Sequence, residues 1–410
     1  MLGTKINSLD SRFLYVILIY EFVKCIEICI KKRGTTINSL YNPLFQPLAL
    51  PNGVVLRDRL GVAPMTTYSG NPDGTVSDAE LTYYKRRSTI GDLYISACIA
   101  ISENGIAFPN QFIGFDDRVM PSLKQLASQM KSNGSKAIVQ MQHGGRHGQP
   151  ELIPANETVA PSAVTTPNSP VAPRELTNEE IQAIIRDFGE TTRRVIEAGF
   201  DGVEIHGANH YLLQQFVSSY FNQRQDEWGG TLENRLKFSL AVLKEVQEVA
   251  AKYADDSFII GYRVSPEEIH GETVGYTLAE TKVLIDLLVE NGVHYIHTSL
   301  FDFKTLPAGS VQEGSIVSIL SGYINGRVPL VVVGSVKTPQ DALEALQEGA
   351  DIVAMARQVL IDPEWTEKVK AGNEEEIYTT IPKKRVGKLD IPESMWKMIT
   401  SYGMVQVAEE

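Results

Sequence analysis

The stretch Pro329-Leu-Val-Val-Val-Gly-Ser335 is a short apolar run that ends in small and polar residues. Residues 338–348 follow with the pattern of an amphipathic helix, which begins at a threonine and stops before a glycine. A second apolar run comes next, Asp351-Ile-Val-Ala-Met-Ala-Arg357. Two short apolar runs separated by one helix are typical of a β–α–β unit in a parallel sheet.

The same alternation recurs along most of the chain. Apolar runs predicted as strands lie at residues 60–65, 93–102, 136–143, 202–206, 258–265, 294–299, 329–335 and 351–357. Helix-length segments separate them, and Thr177 with Glu180 marks one helix start as a capping box. Eight strands with eight crossovers close into a barrel, whereas an open doubly wound sheet usually has about six strands. We therefore predict an α/β fold, a single-domain TIM (β/α)8 barrel over residues 42–375.

The segments outside the predicted barrel have different patterns. Residues 48–56 predict a short N-terminal hairpin that turns at Asn52-Gly53, because this pair supplies the left-handed positions of such turns. Residues 1–41 are predicted as a non-core N-terminal extension. Charges interrupt its apolar part, and no uncharged run approaches the roughly 20 residues of a membrane-spanning helix. A weak amphipathic helix on a membrane surface stays open as an alternative. Residues 376–410 are predicted as a C-terminal tail.

The composition excludes several classes of protein. The 410 residues include 38 Lys and Arg against 50 Asp and Glu, and the net charge of -12 argues against nucleic-acid binding. Hydrophobic residues at 43% and charged residues at 21% are ordinary for a globular domain. Cys25, Cys29 and Cys98 are too few for a disulfide framework or a four-cysteine iron–sulfur cluster, and we predict no metal. A reducing cytoplasmic location fits this cysteine count.

Candidate functional residues occur at the ends of the predicted strands, where (β/α)8 enzymes carry their chemistry. Arg263 lies inside an apolar strand, where a guanidinium needs a carboxylate, a phosphate or an electron-rich ligand. A Gly-Ser pair after the seventh strand and an arginine after the eighth are typical of a phosphate site. The strand-end candidates are Ala63, Pro64, Met65, Thr66, Gln140, His206, Asn209, Tyr211, Arg263, Gly334, Ser335, Ala356 and Arg357.

Each candidate also has a structural interpretation. His206 could be a hydrogen-bonded loop residue, Gln140 could bridge neighbouring strands, and Thr66 could cap a helix. Their joint occurrence at one end of one barrel favours a ligand site.

Two stretches carry a family resemblance. Glu204-Ile-His-Gly-Ala-Asn-His-Tyr-Leu-Leu-Gln-Gln-Phe216 and Asn222-Gln-Arg-Gln-Asp-Glu-Trp-Gly-Gly230, followed by Glu233-Asn-Arg235, resemble motifs of the Old Yellow Enzyme family of FMN-dependent ene-reductases. The likeness extends over residues 42–363. It implies a TIM barrel that binds FMN tightly and non-covalently over the barrel mouth. NADH or NADPH would reduce the flavin, and an activated alkene would reoxidise it.

The resemblance also implies roles for individual residues. Thr66 would lie near the flavin C4 carbonyl, and Gln140 would bond the pyrimidine edge. Arg263 would face N1, where a fixed cation stabilises the negative charge of a reduced flavin. The implied flavin-lining residues are Ala63, Pro64, Met65, Thr66, Cys98, Gln140 and Arg263, and the implied phosphate-binding residues are Gly334, Ser335, Ala356 and Arg357.

By the same resemblance, three residues would act on the substrate. His206 and Asn209 would donate hydrogen bonds to its carbonyl oxygen, so that the β-carbon accepts hydride. Tyr211 would protonate the α-carbon, because a phenol with a pKa of about 10 is protonated at neutral pH. Tyr68 would contact the substrate.

The sequence departs from the family pattern at two points. Ala356 replaces a frequent glycine, which requires a negative φ at this position. Thr66 replaces the cysteine of one branch while Tyr68 matches that branch, so the subgroup is open.

Other properties and functions also stay open. The sequence does not distinguish NADH from NADPH or a monomer from a homo-oligomer. Nor does it name the small-molecule acceptor, which could be an unsaturated carbonyl, a quinone or a nitro compound. Two further hypotheses are a lyase or isomerase for a phosphorylated metabolite and a non-catalytic flavin-binding protein anchored by its N-terminal helix. The first of these predicts a lysine or carboxylate base at a strand end.

Overall fold

The computed structural model describes residues 37–166, 171–309 and 314–408. Nearly all of the predicted N-terminal extension, with its membrane-surface alternative, lies outside the described residues. The described part begins near a 3-10 helix at Ser39–Phe45. The predicted hairpin is present, because Leu48–Ala49 pairs antiparallel with Val55–Leu56. Gly53 in its turn has a φ of +83°.

Eight parallel strands form a closed barrel, which confirms the predicted (β/α)8 fold. Each strand pairs with the next one along the chain, and the eighth pairs with the first. The strands are β1 (Leu60–Val62), β2 (Leu93–Ala100), β3 (Lys136–Gln142), β4 (Gly202–Gly207), β5 (Ile259–Val264), β6 (Tyr295–Ser299), β7 (Leu330–Val333) and β8 (Ile352–Met355). Each predicted apolar run coincides with one of them, and only β4 extends beyond its run, by one residue.

Helices cover the outside of the barrel. The α-helices of the described ranges are α1 (Asp78–Arg87), α2 (Met120–Met130), α3 (Asn178–Glu197), α4 (Leu212–Val217), α5 (Leu232–Tyr253), α6 (Leu278–Glu290), α7 (Ile316–Ile324), α8 (Pro339–Gln347), α9 (Arg357–Ile361), α10 (Trp365–Lys370) and α11 (Glu393–Ser401). Thr177 and Glu180 form the predicted capping box at the start of α3, which satisfies backbone groups that the first helical turn leaves unpaired. The glycine predicted to stop α8, Gly349, has a φ of +112°.

The hairpin closes the N-terminal end of the barrel. Its Leu50 and Leu56 are buried in one apolar cluster with residues from the starts of the strands, including Leu93, Ile138 and Ile259. The opposite end, where the strands finish, is therefore the open mouth at which a ligand can enter.

The C-terminal segment, predicted as a tail, packs against the barrel in its described part. Ile381, Leu389, Met395 and Ile399 are buried in the main core. A short strand at Ile381–Pro382 pairs in parallel with Val407–Ala408. The segment therefore belongs to the folded body and covers part of the mouth. No helix in the described ranges has the length and hydropathy needed to cross a membrane.

Candidate active site

A cavity of about 540 Å³ lies at the barrel mouth, within the usual size range of cofactor and ligand sites. We call it the mouth cavity. The ends of β1, β7 and β8 form its walls together with the C-terminal segment. The predicted site residues on its wall are Met65, Thr66, Tyr68, Tyr211, Gly334, Ser335, Ala356 and Arg357.

The backbone after β7 and β8 is shaped for a close ligand. Gly334 has a φ of +153°, and a Cβ there would lie 2.9 Å from the backbone of Asp302 and Phe303. Ser335 is left-handed with a φ of +52°, and its Oγ donates to the carbonyl oxygen of Phe301 at 2.8 Å. Strained backbone of this kind is concentrated at ligand sites. Ala356 has a φ of −110°, the negative value that an alanine in place of the family's frequent glycine requires.

A cation completes this part of the cavity. Arg357 is exposed, and within the described ranges it forms no ion pair. Its guanidinium is therefore available to a phosphate, to which it can donate a charge-assisted fork of hydrogen bonds.

Below the mouth, a buried carboxylate organises the polar interior of the barrel. Glu204 accepts hydrogen bonds from Gln140 Nε2 at 2.7 Å and Tyr295 OH at 3.1 Å, and it pairs with His297 Nδ1 at 2.8 Å. Burial acts to raise the pKa of Glu204, but His297, Arg263 and Gln140 outweigh it and leave the pKa below its ordinary value. Gln140 on β3 thus bridges to Glu204 on the neighbouring strand β4, as its structural interpretation predicted. Its Oε1 accepts no hydrogen bond from the described residues, so this oxygen can still meet a ligand.

Arg263 is the buried cation of the site. It lies beside His206 in the register of β4 and β5, and its Nη2 donates to Ser299 Oγ at 3.1 Å. Its Nε is buried without a partner in the described part of the chain. Burial lowers the pKa of Arg263 and nearby Glu204 opposes this effect, but arginine stays charged in proteins. A buried cation with an unused N–H donor needs a further electron-rich partner. The pyrimidine edge of a flavin is such a partner.

Tyr211 on the cavity wall packs against buried His206, with the ring centroids 5.1 Å apart. The pKa of His206 lies well below its ordinary value because the ring is buried and faces Arg263 and His297. The imidazole is therefore neutral, and its Nδ1 is buried without a partner in the described residues. Burial, with smaller contributions from Cys98 and Tyr68, raises the pKa of Tyr211, so its phenol remains protonated.

The remaining predicted residues, Asn209, Cys98, Ala63 and Pro64, are not among those that line the cavity. Asn209 is left-handed with a φ of +57°, and its Nδ2 donates to Ser299 Oγ at 2.9 Å. Ser299 therefore joins Asn209 to Arg263. Burial raises the pKa of the Cys98 thiol to about 12, so this side chain is neutral. Ala63 is buried at the end of β1, and Pro64 follows it toward the mouth.

Sequence reasoning gave no role to several residues that shape the site. Ser299 ends β6, and the strand-end rule could have identified it. Glu204 and His297 lie within strands, and only the pairing of the strands shows that they meet. The C-terminal segment adds a wall whose apolar spacing of three and four residues could have predicted a packed helix face, formed by Met395, Met398 and Ile399.

The model of the NADH:flavin oxidoreductase / NADH oxidase family matches residues 43–376. The chain belongs to this family. The resemblance to the Old Yellow Enzyme family, inferred from the motifs, is confirmed. The prediction of an enzyme with FMN as cofactor and NAD(P)H as electron donor is confirmed as well. The lyase or isomerase hypothesis and the non-catalytic hypothesis are thereby wrong.

Individual relatives agree with this assignment. The probable NADH-dependent flavin oxidoreductase YqiG of Bacillus subtilis is 44% identical over 365 residues, which cover 89% of this chain and 97% of that protein. The NADH:fumarate oxidoreductase of Klebsiella pneumoniae is 42% identical over 372 residues, which cover 88% of this chain but only 39% of that longer protein. The structure of the old yellow enzyme homologue from Zymomonas mobilis aligns with a TM-score of 0.68 at 25% identity, covering 79% of this chain and 91% of that one.

Proposed function

We propose that this flavin oxidoreductase reduces activated alkenes, with Tyr211 as the proton donor and His206 and Asn209 as the donors that bind the substrate carbonyl. The observation that carries the proposal is the contact of a protonated phenol with a neutral imidazole at the mouth cavity, beside a buried guanidinium. Apolar surroundings hold both groups in the protonation states that this chemistry needs. A conjugated carbonyl compound is the substrate class that fits them best.

When bound, FMN would supply the hydride chemistry that connects NAD(P)H with the β-carbon of the acceptor. Two features fit this group. The Nε of Arg263 has no partner in the described residues, and the backbone at Gly334 carries no side chain that would block a close ligand. The residues that would hold its ring system are Ala63, Pro64, Met65, Thr66, Cys98, Gln140 and Arg263, and those that would hold its phosphate are Gly334, Ser335, Ala356 and Arg357.

His206 and Asn209 would polarise the acceptor. Neutral His206 offers an N–H without the stronger acidity of an imidazolium, and this donor would withdraw electron density through the carbonyl oxygen. The amide of Asn209 has two N–H groups, of which Ser299 occupies one. The other would serve as the second donor to the same oxygen.

Tyr211 would complete the addition by giving its phenolic proton to the α-carbon. Its backbone lies at the start of α4, and its ring packs edge-on against Phe108 with the centroids 6.0 Å apart. These contacts limit the ring to the cavity wall. Tyr68, which packs against the same Phe108, would border the substrate on this side.

The class of acceptor extends to conjugated carboxylates. The Klebsiella relative is named for fumarate, an activated alkene, although this chain spans only part of that protein. Quinones and nitro compounds remain alternative acceptors, because they also accept hydride from flavins. A cytoplasmic location is part of the proposal and follows from the need for NAD(P)H.

The test separates the two half-reactions of the FMN-loaded enzyme under anaerobic conditions. Tyr211→Phe should be reduced by NAD(P)H at the wild-type rate, whereas its reoxidation by cyclohexenone should slow by about 10²–10⁴-fold. Tyr253→Phe is a matched control, because this exposed tyrosine ends α5 at the opposite face of the barrel. Reoxidation of Tyr211→Phe at the wild-type rate would remove Tyr211 from the proposed role.

A further inference from the structure

A cluster of two imidazoles and one carboxylate lies outside the mouth cavity. His210 follows Asn209 in the loop after β4, and a hairpin after β5 contains Glu268–His270 paired with Thr273–Tyr276. Glu268 Oε2 lies 3.4 Å from His210 Nδ1, and Glu268 Oε1 lies 3.3 Å from His270 Nε2. All three potential ligand atoms lie within 4.8 Å of one another.

These separations match a tetrahedral metal ion. Zinc bonds of about 2.0–2.1 Å place two ligand atoms of a tetrahedron about 3.3–3.4 Å apart. Each imidazole nitrogen has this separation from a different oxygen of Glu268, and a turn of the partly exposed imidazoles would bring both nitrogens to one ion. The third separation is the one between the two imidazole nitrogens, which is at most 4.8 Å. The His270 side chain is 37% exposed and can turn to shorten it. Two imidazoles and a carboxylate leave a fourth position, which faces solvent and would take a water molecule.

The carboxylate is oriented from its inner side. Gln214 Nε2 donates to Glu268 Oε2 at 2.7 Å, and Ser218 Oγ donates to Glu268 Oε1 at 2.5 Å. Hydrogen bonds of this kind fix the direction of a ligating carboxylate in metal sites. Glu268 itself is buried, whereas both imidazoles reach the surface. The cluster thus combines a fixed, buried anion with two ligands on its accessible side.

We propose that His210, Glu268 and His270 form a binding site for one Zn²⁺ ion, separate from the flavin. Imidazole nitrogen and carboxylate oxygen form the ligand set found in open zinc sites with a bound water. Because His210 lies between Asn209 and Tyr211, a bound ion restrains the loop that presents both residues to the cavity. The site is therefore placed to alter acceptor turnover without touching the flavin.

The experiment uses the full-length FMN-loaded protein after treatment with a chelator. Titration with Zn²⁺ alone should show one ion per chain, by calorimetry and by metal analysis. His270→Gln and Glu268→Gln should each weaken binding by about 100-fold or more, since even outer-shell changes cost about 10–100-fold. Glu272→Gln is the matched control, because this exposed carboxylate lies in the same hairpin and outside the cluster. It should bind Zn²⁺ as the wild type does.

Two results would overturn the site. One is wild-type protein that binds no Zn²⁺ in stoichiometric amount. The other is His270→Gln that keeps wild-type affinity, since this exposed side chain can be replaced without loss of the fold. Co²⁺ gives an independent check on the unmodified protein, because tetrahedral Co²⁺ has intense d–d bands at longer wavelengths than flavin absorption. A histidine–glutamate cluster held only by ion pairing would show neither these bands nor metal binding.

Discussion

Burial sets the protonation state of each residue that acts around the mouth cavity. It keeps His206 neutral and Tyr211 protonated, whereas Arg263 stays charged because a guanidinium does not easily lose its proton. One environment therefore supplies a neutral donor, an acid and a cation within one end of the barrel. The sequence named all three residues, but the direction of these pKa shifts depends on neighbours such as His297 that meet only in the fold.

Glu80 in α1 shows the same effect at a residue without an assigned role. Thr67, which follows the proposed flavin-lining residue Thr66, donates to Glu80 Oε1, while Oε2 is buried without a partner among the described residues. Burial raises the pKa of Glu80 to about 7, although the hydrogen bond from Thr67 acts to lower it. The folded protein therefore holds this proton at pH values where the unfolded chain has released it.

The stability of the protein should consequently depend on pH between the two pKa values of Glu80. At Glu80 the folded state binds more protons than the unfolded state from about pH 4.5 to about pH 7, so the contribution of this residue to the free energy of unfolding falls as pH rises through this window. Glu80→Gln lacks this proton, so the difference in the free energy of unfolding between the variant and the wild type should change by about 3 kcal/mol across the window. Urea unfolding of both proteins from about pH 5 to about pH 8 measures this. Parallel pH profiles would contradict the assignment.

Individual elements divide the barrel into a closed end and a working end. The hairpin fills the N-terminal end with Leu50 and Leu56, so ligand contacts fall to the segments that follow the strands. In the segment after β7, the backbone at Gly334 leaves no room for a Cβ. The proposed phosphate role of Gly334 rests on a Gly-Ser pair at a strand end, whereas the nearby backbone of Asp302, which requires a glycine, was not predictable from the sequence.

Replacement of Gly334 should therefore damage cofactor binding. Gly334→Ala places a Cβ 2.9 Å from the backbone of Asp302 and Phe303 and should weaken FMN binding by about 10-fold or more. Gly322→Ala in α7 is the matched control, because a Cβ there has no atom within 4 Å. It should keep FMN and gain up to about 1 kcal/mol of stability from the better helix former. Equal FMN affinity in the two variants, measured by fluorescence quenching, would refute this role.

The whole fold was predictable because each strand is buried on both faces and therefore appears as a continuous apolar run, as in Leu330–Val333. The site was predictable in outline because such barrels work at one end. Two features of the site were not predictable from the sequence. The link from Asn209 through Ser299 to Arg263 joins three separate loops or strands, and the wall formed by Met395 and Met398 depends on where the C-terminal segment docks. Both arise from tertiary contacts that no local pattern encodes.

We propose that this flavin enzyme moves hydride from NAD(P)H to an activated alkene. The most direct measurement is the absorbance spectrum of the purified protein, titrated without oxygen first with NADH or NADPH and then with cyclohexenone. We expect a bound-flavin spectrum that bleaches with at least one of the two donors and returns with the alkene. A colourless protein that retains no added FMN, or a bleached flavin that no conjugated alkene reoxidises, would contradict the account.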